Sequence, residues 1–398
     1  FIYNNYKIKG LRYTDKKKIL FNNSGYNFKR IIIHLLKNRQ NIAFMNEGLS
    51  FFKKIIFKIL GIEILEFSEI KKNKFKREYS IDQKILVDNL NISRILNKQI
   101  DNCSTYLRNL KSKNEALKEY FNNSNIKLVI SNSNRGAGGM IIENAHRLKV
   151  TSLLISHGTV AESFNKDDEI YKKNIAEAVF SGKATYFAVQ SKIMLDSLKT
   201  HKLLGKPIVT GNLVFAESKT IKQSKKFKIL YAVTNKKFPG MQFLGVEVFY
   251  EFYKNLKDLE KFSIDNSFYI NVHLHPSVKS SINFLRKKFK NLYFTIGSIE
   301  KALKDALVTI SYSSSVIEDS LNSKVPVILL DTKLRYKHCK STANTSEINE
   351  PIYYINNFYD LKKCIETIKN SENINFKKKV YEENYKKNIK KLFDDLLK

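Results

Sequence analysis

A histidine followed by a proline closes one of the apolar segments of the chain. Residues 268–274 alternate apolar and polar side chains, which predicts a β-strand with His273 and His275 on the same face. Pro276 then ends the strand. An imidazole at the carboxyl end of a parallel strand can donate to a phosphate oxygen and, when charged, offset its negative charge. A purely structural histidine at the strand end is the alternative interpretation.

A run of three serines follows a second predicted strand. Ser313, Ser314 and Ser315 come after the apolar segment 307–311 and open a predicted helix. Hydroxyls and backbone N–H groups at such a turn form an anion site. Ser315 and Glu318 also fit the S-x-x-E capping box, so both interpretations can hold together. The glycine-rich phosphate motifs GxGxxG and GxxxxGK[ST] are absent from the sequence.

Three more candidates lie in the N-terminal half. Glu47, which is followed by a glycine, comes after the predicted strand 42–45, and a carboxylate at a strand end suits a general base. His157 ends the buried segment 151–156 and also precedes a glycine. Arg135 precedes a glycine-rich helix start, where a guanidinium can bind an acidic sugar or a phosphate. An acidic turn, a structural histidine and a flexible turn are the respective alternatives.

The elements that would position these residues alternate along the chain. Short apolar segments of strand length are separated by helical patterns, in two blocks. This alternation predicts an α/β protein with two Rossmann-like, doubly wound domains facing a cleft. We place the domains at 1–212 and 213–374, followed by a charged helix over 375–398. Ligands are expected at the carboxyl ends of the strands.

Charge and composition restrict the class of protein. The chain has 398 residues, with 70 Lys+Arg against 38 Asp+Glu, a net charge of +32. The excess is mostly Lys. It indicates either a solvated lysine surface that results from A/T-rich codon usage, or affinity for a polyanion. No apolar run approaches the roughly 18 residues of a membrane helix. No nucleic-acid motif is recognised, and no metal-ligand spacing occurs, so metal-independent chemistry is predicted.

Two further features bear on location. Three scattered cysteines favour a reducing compartment. The sequence begins with Phe1 rather than Met, so removal of a targeting segment stays an open alternative. Segment 51–60 is a basic amphipathic helix with Phe52, Ile55, Ile56 and Ile59 on one face. It predicts either contact with anionic lipid or a core helix whose lysines face outward.

The motifs resemble those of a known group of enzymes. With His275-Pro276 followed by Ser313-Ser314-Ser315, the span 228–332 resembles the donor half of bacterial GT-B glycosyltransferases of surface polysaccharide synthesis. It looks most like the sialyl-, polysialyl- and Kdo transferases, which use CMP-sugars. It is also similar to CDP-glycerol transferases, whose serines precede an acidic residue, here Glu318.

The N-terminal motifs extend the resemblance. Asn46-Glu47-Gly48 resembles the Asp/Glu-Asp/Glu-Gly motif of bacterial sialyltransferases, whose second acid is the base, with Asn46 in the first acidic position. His157-Gly158-Thr159 looks like the HGT segment of CDP-glycerol transferases and the HG of Kdo-type capsule enzymes.

The resemblance implies a role for each candidate. The first domain would be the acceptor side and the second would bind the nucleotide-sugar donor, with the last helix packing across the junction. Donor contacts would come from the residues of the two C-terminal motifs, His273, His275, Pro276, Ser313, Ser314, Ser315 and Glu318. Glu47 or His157 would be the catalytic base. Arg135 is not part of these motifs, and it is predicted to hold acceptor or phosphate from its chemistry alone.

The predicted function is transfer of an acidic sugar, such as sialic acid or Kdo, from a CMP donor to a surface glycan. The resemblance implies no cofactor besides this nucleotide-sugar co-substrate. The predicted partners are the donor, a glycan or lipid-linked acceptor and an anionic membrane surface, without nucleic acid. The predicted location is cytoplasmic, peripheral on the inner face of the cytoplasmic membrane. The alternatives are a CDP-glycerol-type glycerophosphotransferase, a UDP-sugar 2-epimerase and a non-catalytic polyanion-binding protein.

Overall fold

The chain forms two compact units. The first comprises 1–156, 178–188 and 203–208, and the second 157–177, 189–202 and 209–398. The computed structural model describes most of both units, namely residues 2–9, 16–22, 28–46, 49–74, 80–87, 89–156, 158, 182–198, 205–217, 228–232, 245–312, 314–332, 334, 338–339 and 342–397.

An eight-stranded sheet forms the centre of the first unit. Its strands are β1 (Ile2–Lys9), β2 (Lys18–Phe21), β3 (Asn41–Asn46), β4 (Glu63–Lys74), β7 (Ile126–Ser131), β8 (Thr151–Leu154), β9 (Tyr186–Val189) and β10 (Lys206–Val209). Their order is β1-β4-β3-β2-β7-β8-β9-β10. The antiparallel strand β1 lies at one edge, and β4-β3-β2-β7-β8-β9 are paired in parallel in the doubly wound order 3-2-1-4-5-6.

Helices cover this sheet where their apolar residues repeat at helical spacing. They are α1 (Lys29–Lys37), α2 (Phe51–Ile59), α3 (Ser93–Asn122) and α4 (Gly136–Arg147), and the hairpin β5 (Leu86–Val87) and β6 (Leu90–Asn91) precedes α3. Ala137, Ile141 and Ala145 lie four residues apart on α4, so they form one face. That face packs with Leu117 and Tyr120 of α3 in one buried cluster.

The second unit contains a six-stranded, fully parallel sheet. Its strands are β11 (Lys228–Tyr231), β12 (Tyr269–Leu274), β13 (Tyr293–Ile296), β14 (Val308–Ser311), β15 (Val327–Leu330) and β16 (Ile352–Ile355). The order β13-β12-β11-β14-β15-β16 is again 3-2-1-4-5-6. Both faces are covered, because Ile229 and Tyr231 join one buried cluster while Leu230 and Ala232 join another. The predicted α/β class is confirmed.

The helices of the second unit surround this sheet. They are α5 (Lys192–Leu198), α6 (Gly245–Asn266), α7 (Ile282–Lys288), α8 (Ile299–Leu303), α9 (Val316–Asn322), α10 (Tyr359–Lys369) and α11 (Tyr385–Leu396), with 3-10 turns at Pro276–Ser281 and Phe376–Lys378. Within the described part of the chain, no helix combines the length and the apolar character needed to cross a bilayer.

The C-terminal segment, including the last helix, contacts residues at and before the predicted junction at residue 212. The side-chain amide of Asn388 donates to the carbonyl oxygen of Asn212 at 3.0 Å, and Val380 forms an isolated β-bridge with Ser191. All of these residues belong to the second unit. Glycine is favoured at position 211, because its φ is +66° and a Cβ there would lie 2.6 Å from the amide nitrogen of Asn388.

The predicted helix over 375–398 is shorter in the structure. Helix α11 begins at Tyr385, where the side chain of Asn384 accepts from the backbone N–H of Lys387 and caps the helix. The residues before it make other contacts, since Val380 pairs with Ser191 and the carbonyl oxygen of Lys379 accepts from the N–H of Lys192 at 2.9 Å. The bridge to Ser191 therefore interrupts the helical pattern of the sequence. The domain boundary at 212/213 stays a prediction.

Candidate functional site

The order of the second sheet locates a crevice between β11 and β14. These strands are neighbours, and the next strand after each of them, β12 and β15 respectively, lies on opposite sides of the pair. Ligands of doubly wound sheets bind at the carboxyl ends of such a pair. Here the ends are joined, because the Ser311 hydroxyl donates to the carbonyl oxygen of Ala232 at 2.7 Å. The N–H of Ala232 donates in turn to the carbonyl of Ile310 at 3.0 Å.

His275 follows β12, on one side of this crevice. Strand β12 pairs with β11 and β11 pairs with β14, so the ends of β12 and β14 are two strand spacings apart, about 10 Å. His275 is exposed, and Pro276 starts the 3-10 turn that leads away from the strand. The predicted position of His275 at the carboxyl end of a parallel strand is therefore confirmed, whereas its contact with phosphate stays a prediction.

The serine motif lies on the other side of the crevice, at the start of α9. Ser315 is the residue before the helix and makes no capping hydrogen bond with its side chain. The predicted capping box is therefore wrong. The N–H of Val316 makes only a long contact of 3.4 Å with the Ser314 hydroxyl. The Ser315 hydroxyl therefore does not cap the helix, while Ser313 lies outside the described residues.

Glu318 faces the interior. Its side chain is fully buried, and its Oε1 lies 3.2 Å from Nε2 of His338, which is itself 3% exposed at the side chain. This pair explains why the capping box does not form, since the Glu318 carboxyl is engaged with a residue beyond β15. The sequence offered no signal for His338, an isolated histidine outside any periodic pattern. The geometry favours a structural role for Glu318, and its predicted donor contact stays a prediction.

His273 is also buried, at 8% exposure. Its Nδ1 lies 3.0 Å from the hydroxyl oxygen of Thr295, and that hydroxyl donates to Oδ1 of Asn271 at 2.8 Å. Burial lowers the pKa of His273, although a backbone hydrogen bond with Gly297 acts in the opposite direction. A neutral imidazole held between β12 and β13 supports the strand that carries His275, which favours positioning over direct donor contact.

Gly158 brings a second motif to the serines. A Cβ built on Gly158 would lie 3.6 Å from the Cβ of Ser315, an ordinary van der Waals distance. Both residues belong to the second unit. His157, which precedes Gly158 in the sequence, lies outside the described residues. Gly158, the neighbour of one of the two candidate bases in the sequence, therefore lies against the predicted donor motif.

The first unit has an equivalent crevice between β2 and β7. Asn22 and Asn132 follow these strands and hydrogen-bond each other twice, each time at 3.2 Å. Arg135 follows Asn132 by three residues, stands at the start of α4 and is exposed. The glycines after it are more than a flexible turn, because a Cβ on Gly138 would lie 2.2 Å from the carbonyl oxygen of Ser133.

The contacts of Asn46 explain why an amide, and not an acid, stands at the first position of the Asn46-Glu47-Gly48 motif. Glu47 lies outside the described residues, but the side chain of Asn46 donates to Glu66 at 2.7 Å and accepts from the N–H of Leu49 at 2.8 Å. An acid at position 46 would place a second carboxylate against Glu66. The amide therefore joins the end of β3 to Glu66 and to Leu49, without like-charge repulsion.

Comparison with known proteins gives the fold. No protein-family model and no curated protein match the chain. Among solved structures, the chain is similar to the UDP-GlcNAc 2-epimerase of Neisseria meningitidis bound to UDP-GlcNAc, with a TM-score of 0.55, 13% identity and coverage of 96% of this chain and 99% of that one. The Methanocaldococcus jannaschii UDP-GlcNAc 2-epimerase, in complex with UDP-GlcNAc and UDP, gives 0.53, 14%, 96% and 100%.

A weaker similarity is found to the wall teichoic acid polymerase TagF, with a TM-score of 0.47, 12% identity and coverage of 96% and 88%. The conclusion about the fold rests on the two epimerase structures. Because their sequence identities to this chain are low, the similarity concerns architecture alone. The chain has the GT-B fold of two Rossmann-like domains. The predicted fold class is confirmed by this likeness and by the two sheets.

Proposed function

We propose that the protein is a GT-B glycosyltransferase that moves an acidic sugar from a CMP donor to a glycan acceptor. One observation carries the proposal: His275 and the serines Ser314 and Ser315 follow the two strands that flank β11, at the crevice where a doubly wound sheet binds its ligand. A histidine and hydroxyls at this spacing suit the phosphate of a nucleotide. The CMP-linked donor itself comes from the resemblance of the motifs.

The chemistry requires stabilisation of the leaving nucleotide and a base for the acceptor. Negative charge develops on the phosphate as the glycosidic bond breaks, and preorganised donors such as His275 and the Ser315 hydroxyl would stabilise it. The acceptor hydroxyl must lose its proton to a group within hydrogen-bond reach. Glu47 and His157 remain the two candidates for that base. Independence from metals and cofactors is part of the proposal.

A UDP-sugar 2-epimerase is the second candidate, and the similarity of the whole chain to two such enzymes favours it. A CDP-glycerol-type transferase is the third, and the position of Gly158 against Ser315 favours it, since that segment carries the His157 motif. The three candidates share the crevice and differ in the nucleotide that it accepts.

Nucleotide binding tests the proposal. The melting temperature of the full chain would be measured with CMP, CDP, UDP, UDP-GlcNAc and single-stranded RNA. Stabilisation by CMP is expected, because a ligand that binds only the folded state raises its stability by mass action. Stabilisation by UDP and UDP-GlcNAc alone, with formation of the C2 epimer, would establish the epimerase instead. Stabilisation by CDP alone would favour glycerophosphate transfer, and salt-sensitive RNA binding without nucleotide binding would overturn all three.

Such a transferase would work on a lipid-linked acceptor at the inner face of the cytoplasmic membrane, attached peripherally. Its partners would be the donor, this acceptor and the anionic lipid surface.

A further inference from the structure

Helix α2 turns its apolar face towards solvent. At 100° per residue, Phe52, Ile55, Ile56 and Ile59 share one face of the helix. Phe52 and Ile59 are 77% and 78% exposed, Ile55 and Ile56 are 39% and 52% exposed, and no residue of α2 is buried. The expectation of a core helix with outward lysines is therefore wrong.

The opposite face of α2 holds the helix to the sheet. Phe57 packs edge-on against Phe44 of β3, with ring centroids 5.0 Å apart. Lys54 places its Nζ 2.7 Å from Oε1 of Glu66 on β4. The hydrogen bond from Lys54 is the largest cause of the lowered pKa of Glu66, so this carboxyl stays ionised. Because Lys54 and Phe57 face the sheet, the apolar residues on the other side have no route inward.

The charged residues of α2 are all lysines. Lys53 and Lys58 flank the apolar face and are exposed, and α2 contains no acidic residue. The whole chain carries +32. Aromatic and aliphatic residues on one face, with lysines beside them, are the features of helices that lie in the interface of an anionic bilayer. Lysines near such a surface add electrostatic attraction to the burial of the apolar face.

We propose that α2 is the surface by which the protein attaches to an anionic membrane, with Phe52, Ile55, Ile56 and Ile59 inserted at the level of the lipid headgroups. The proposal deepens the peripheral attachment that the proposed function implies, and it rests on that function only for the nature of the acceptor. An acidic lipid surface is favoured over a protein partner because the exposed apolar face is bordered by lysines and the net charge is high.

The attachment would bring an acceptor to one of the candidate bases. Asn46 and Lys54 both bind Glu66, so the end of β3 and the first part of α2 are joined through one carboxylate. Glu47 follows Asn46 in the sequence. A helix lying in the interface would thus bring the end of β3, and with it the start of the candidate-base motif, towards the membrane surface, where the head of a lipid-linked glycan is presented.

Vesicle sedimentation tests the proposal with the full chain. Vesicles of phosphatidylcholine, with and without phosphatidylglycerol, would be spun at low and high salt. We expect the protein to pellet with the anionic vesicles at low salt and to be released at high salt. Phe52→Glu and Ile59→Glu should each reduce partitioning on the order of tenfold or more, since each removes a large apolar side chain from the inserted face.

A matched control separates the face from exposed apolar residues in general. Ile348 is 59% exposed in the second unit, so Ile348→Glu should leave partitioning unchanged. Melting temperatures with and without CMP, measured for each variant, keep the two proposals distinct. Vesicle binding lost in the α2 variants with the CMP response intact supports membrane attachment, and absence of a CMP response in the wild type would count against the proposed function alone.

Two results would overturn the membrane inference. Equal recovery of the wild-type protein in the supernatant with every vesicle composition would exclude a lipid surface as the partner of α2. Light scattering without lipid would reveal a second copy as the partner if the wild type is a dimer and Phe52→Glu is a monomer.

Discussion

Oε1 of Glu318 and Nε2 of His338 lie 3.2 Å apart in the interior of the second unit, and both side chains are almost fully shielded from water. The contact joins the first turn of α9 to the segment after β15. Cys339, the next residue, packs in the same buried cluster as Ile317 of that turn. The turn that carries the serine motif is therefore held from behind by a polar contact and an apolar one.

The first prediction concerns this pair. His338→Ala should lower the free energy of unfolding by about 1–3 kcal/mol, because it leaves a buried carboxyl group without this partner. Glu318→Gln should cost less, since the amide can still hydrogen-bond to the imidazole. Urea titration measures both. If the pair is structural, CMP affinity of the folded variants stays within about twofold of wild type; a tenfold loss in Glu318→Gln alone would establish donor contact.

The second prediction concerns His275. His275→Ala should weaken nucleotide binding by roughly 10- to 150-fold, the equivalent of a charged hydrogen bond worth about 1.5–3 kcal/mol. Turnover should fall with it, because the same contact stabilises the leaving phosphate. Calorimetric titration with the nucleotide measures the change. His146, exposed on α4 of the first unit, supplies the control His146→Ala. Equal affinities for the two variants would remove His275 from the site.

The third prediction separates the candidate bases. Glu47→Gln is nearly isosteric and should lower turnover on the order of 10²–10⁴-fold if this carboxylate is the base, with nucleotide affinity almost unchanged. His157→Asn makes the same test for the histidine. Initial rates with the donor identified by the nucleotide panel decide between them. Greater loss at Glu47 favours sialyltransferase-like chemistry and greater loss at His157 favours the CDP-glycerol type; near-normal rates in both would exclude both.

The fourth prediction concerns the crevice of the first unit. Gly138→Ala should destabilise the protein by roughly 1–3 kcal/mol, because the new methyl group would overlap the carbonyl oxygen of Ser133 and force the backbone to move. Gly158→Ala is the matched control, since its methyl group would meet Ser315 at an ordinary contact distance. Its effect should stay within about 0.5 kcal/mol. Thermal unfolding of both variants measures the difference, and equal melting temperatures would contradict the prediction.

The fifth prediction follows from the lowered pKa of His273. Since the unfolded chain binds a proton at this residue near its ordinary pKa of 6.5 and the folded chain binds it only at lower pH, His273 contributes full stability above pH 6.5. That contribution is lost as the pH falls below 6.5. Urea titrations at about pH 7.5 and 5.5 should show a smaller pH effect in His273→Asn than in wild type. An unchanged difference between the two pH values would contradict this.

The sequence was sufficient for the parts of the fold that depend on local pattern. The central strand β11 could be predicted because its residues are apolar on both faces, and the position of His275 followed from the alternation along β12 and from Pro276. The doubly wound arrangement followed from the alternation of strands and helices. Each of these signals lies within a few residues of the feature that it predicts.

The remaining features depend on contacts between distant residues. The partner of Glu318 is 20 residues away and has no periodic signal, so the pattern S-x-x-E predicted a capping box instead. The two faces of α2 could be predicted from spacing, but spacing does not tell which face meets the sheet. Glu66 and Phe44 decide that, and neither residue belongs to the helix.

The contact of α5 with the C-terminal segment has a consequence for synthesis on the ribosome. Nζ of Lys192 donates to the carbonyl oxygen of Lys377 at 2.6 Å, across 185 residues of sequence. The segment 191–198 is therefore translated long before the C-terminal segment that it contacts. The apolar cluster of Ile193 is complete only after Val380 and the strands between them have been synthesised. Until then this apolar surface of the nascent chain lacks its partners, and transiently exposed apolar surface of this kind is what makes folding intermediates prone to aggregation.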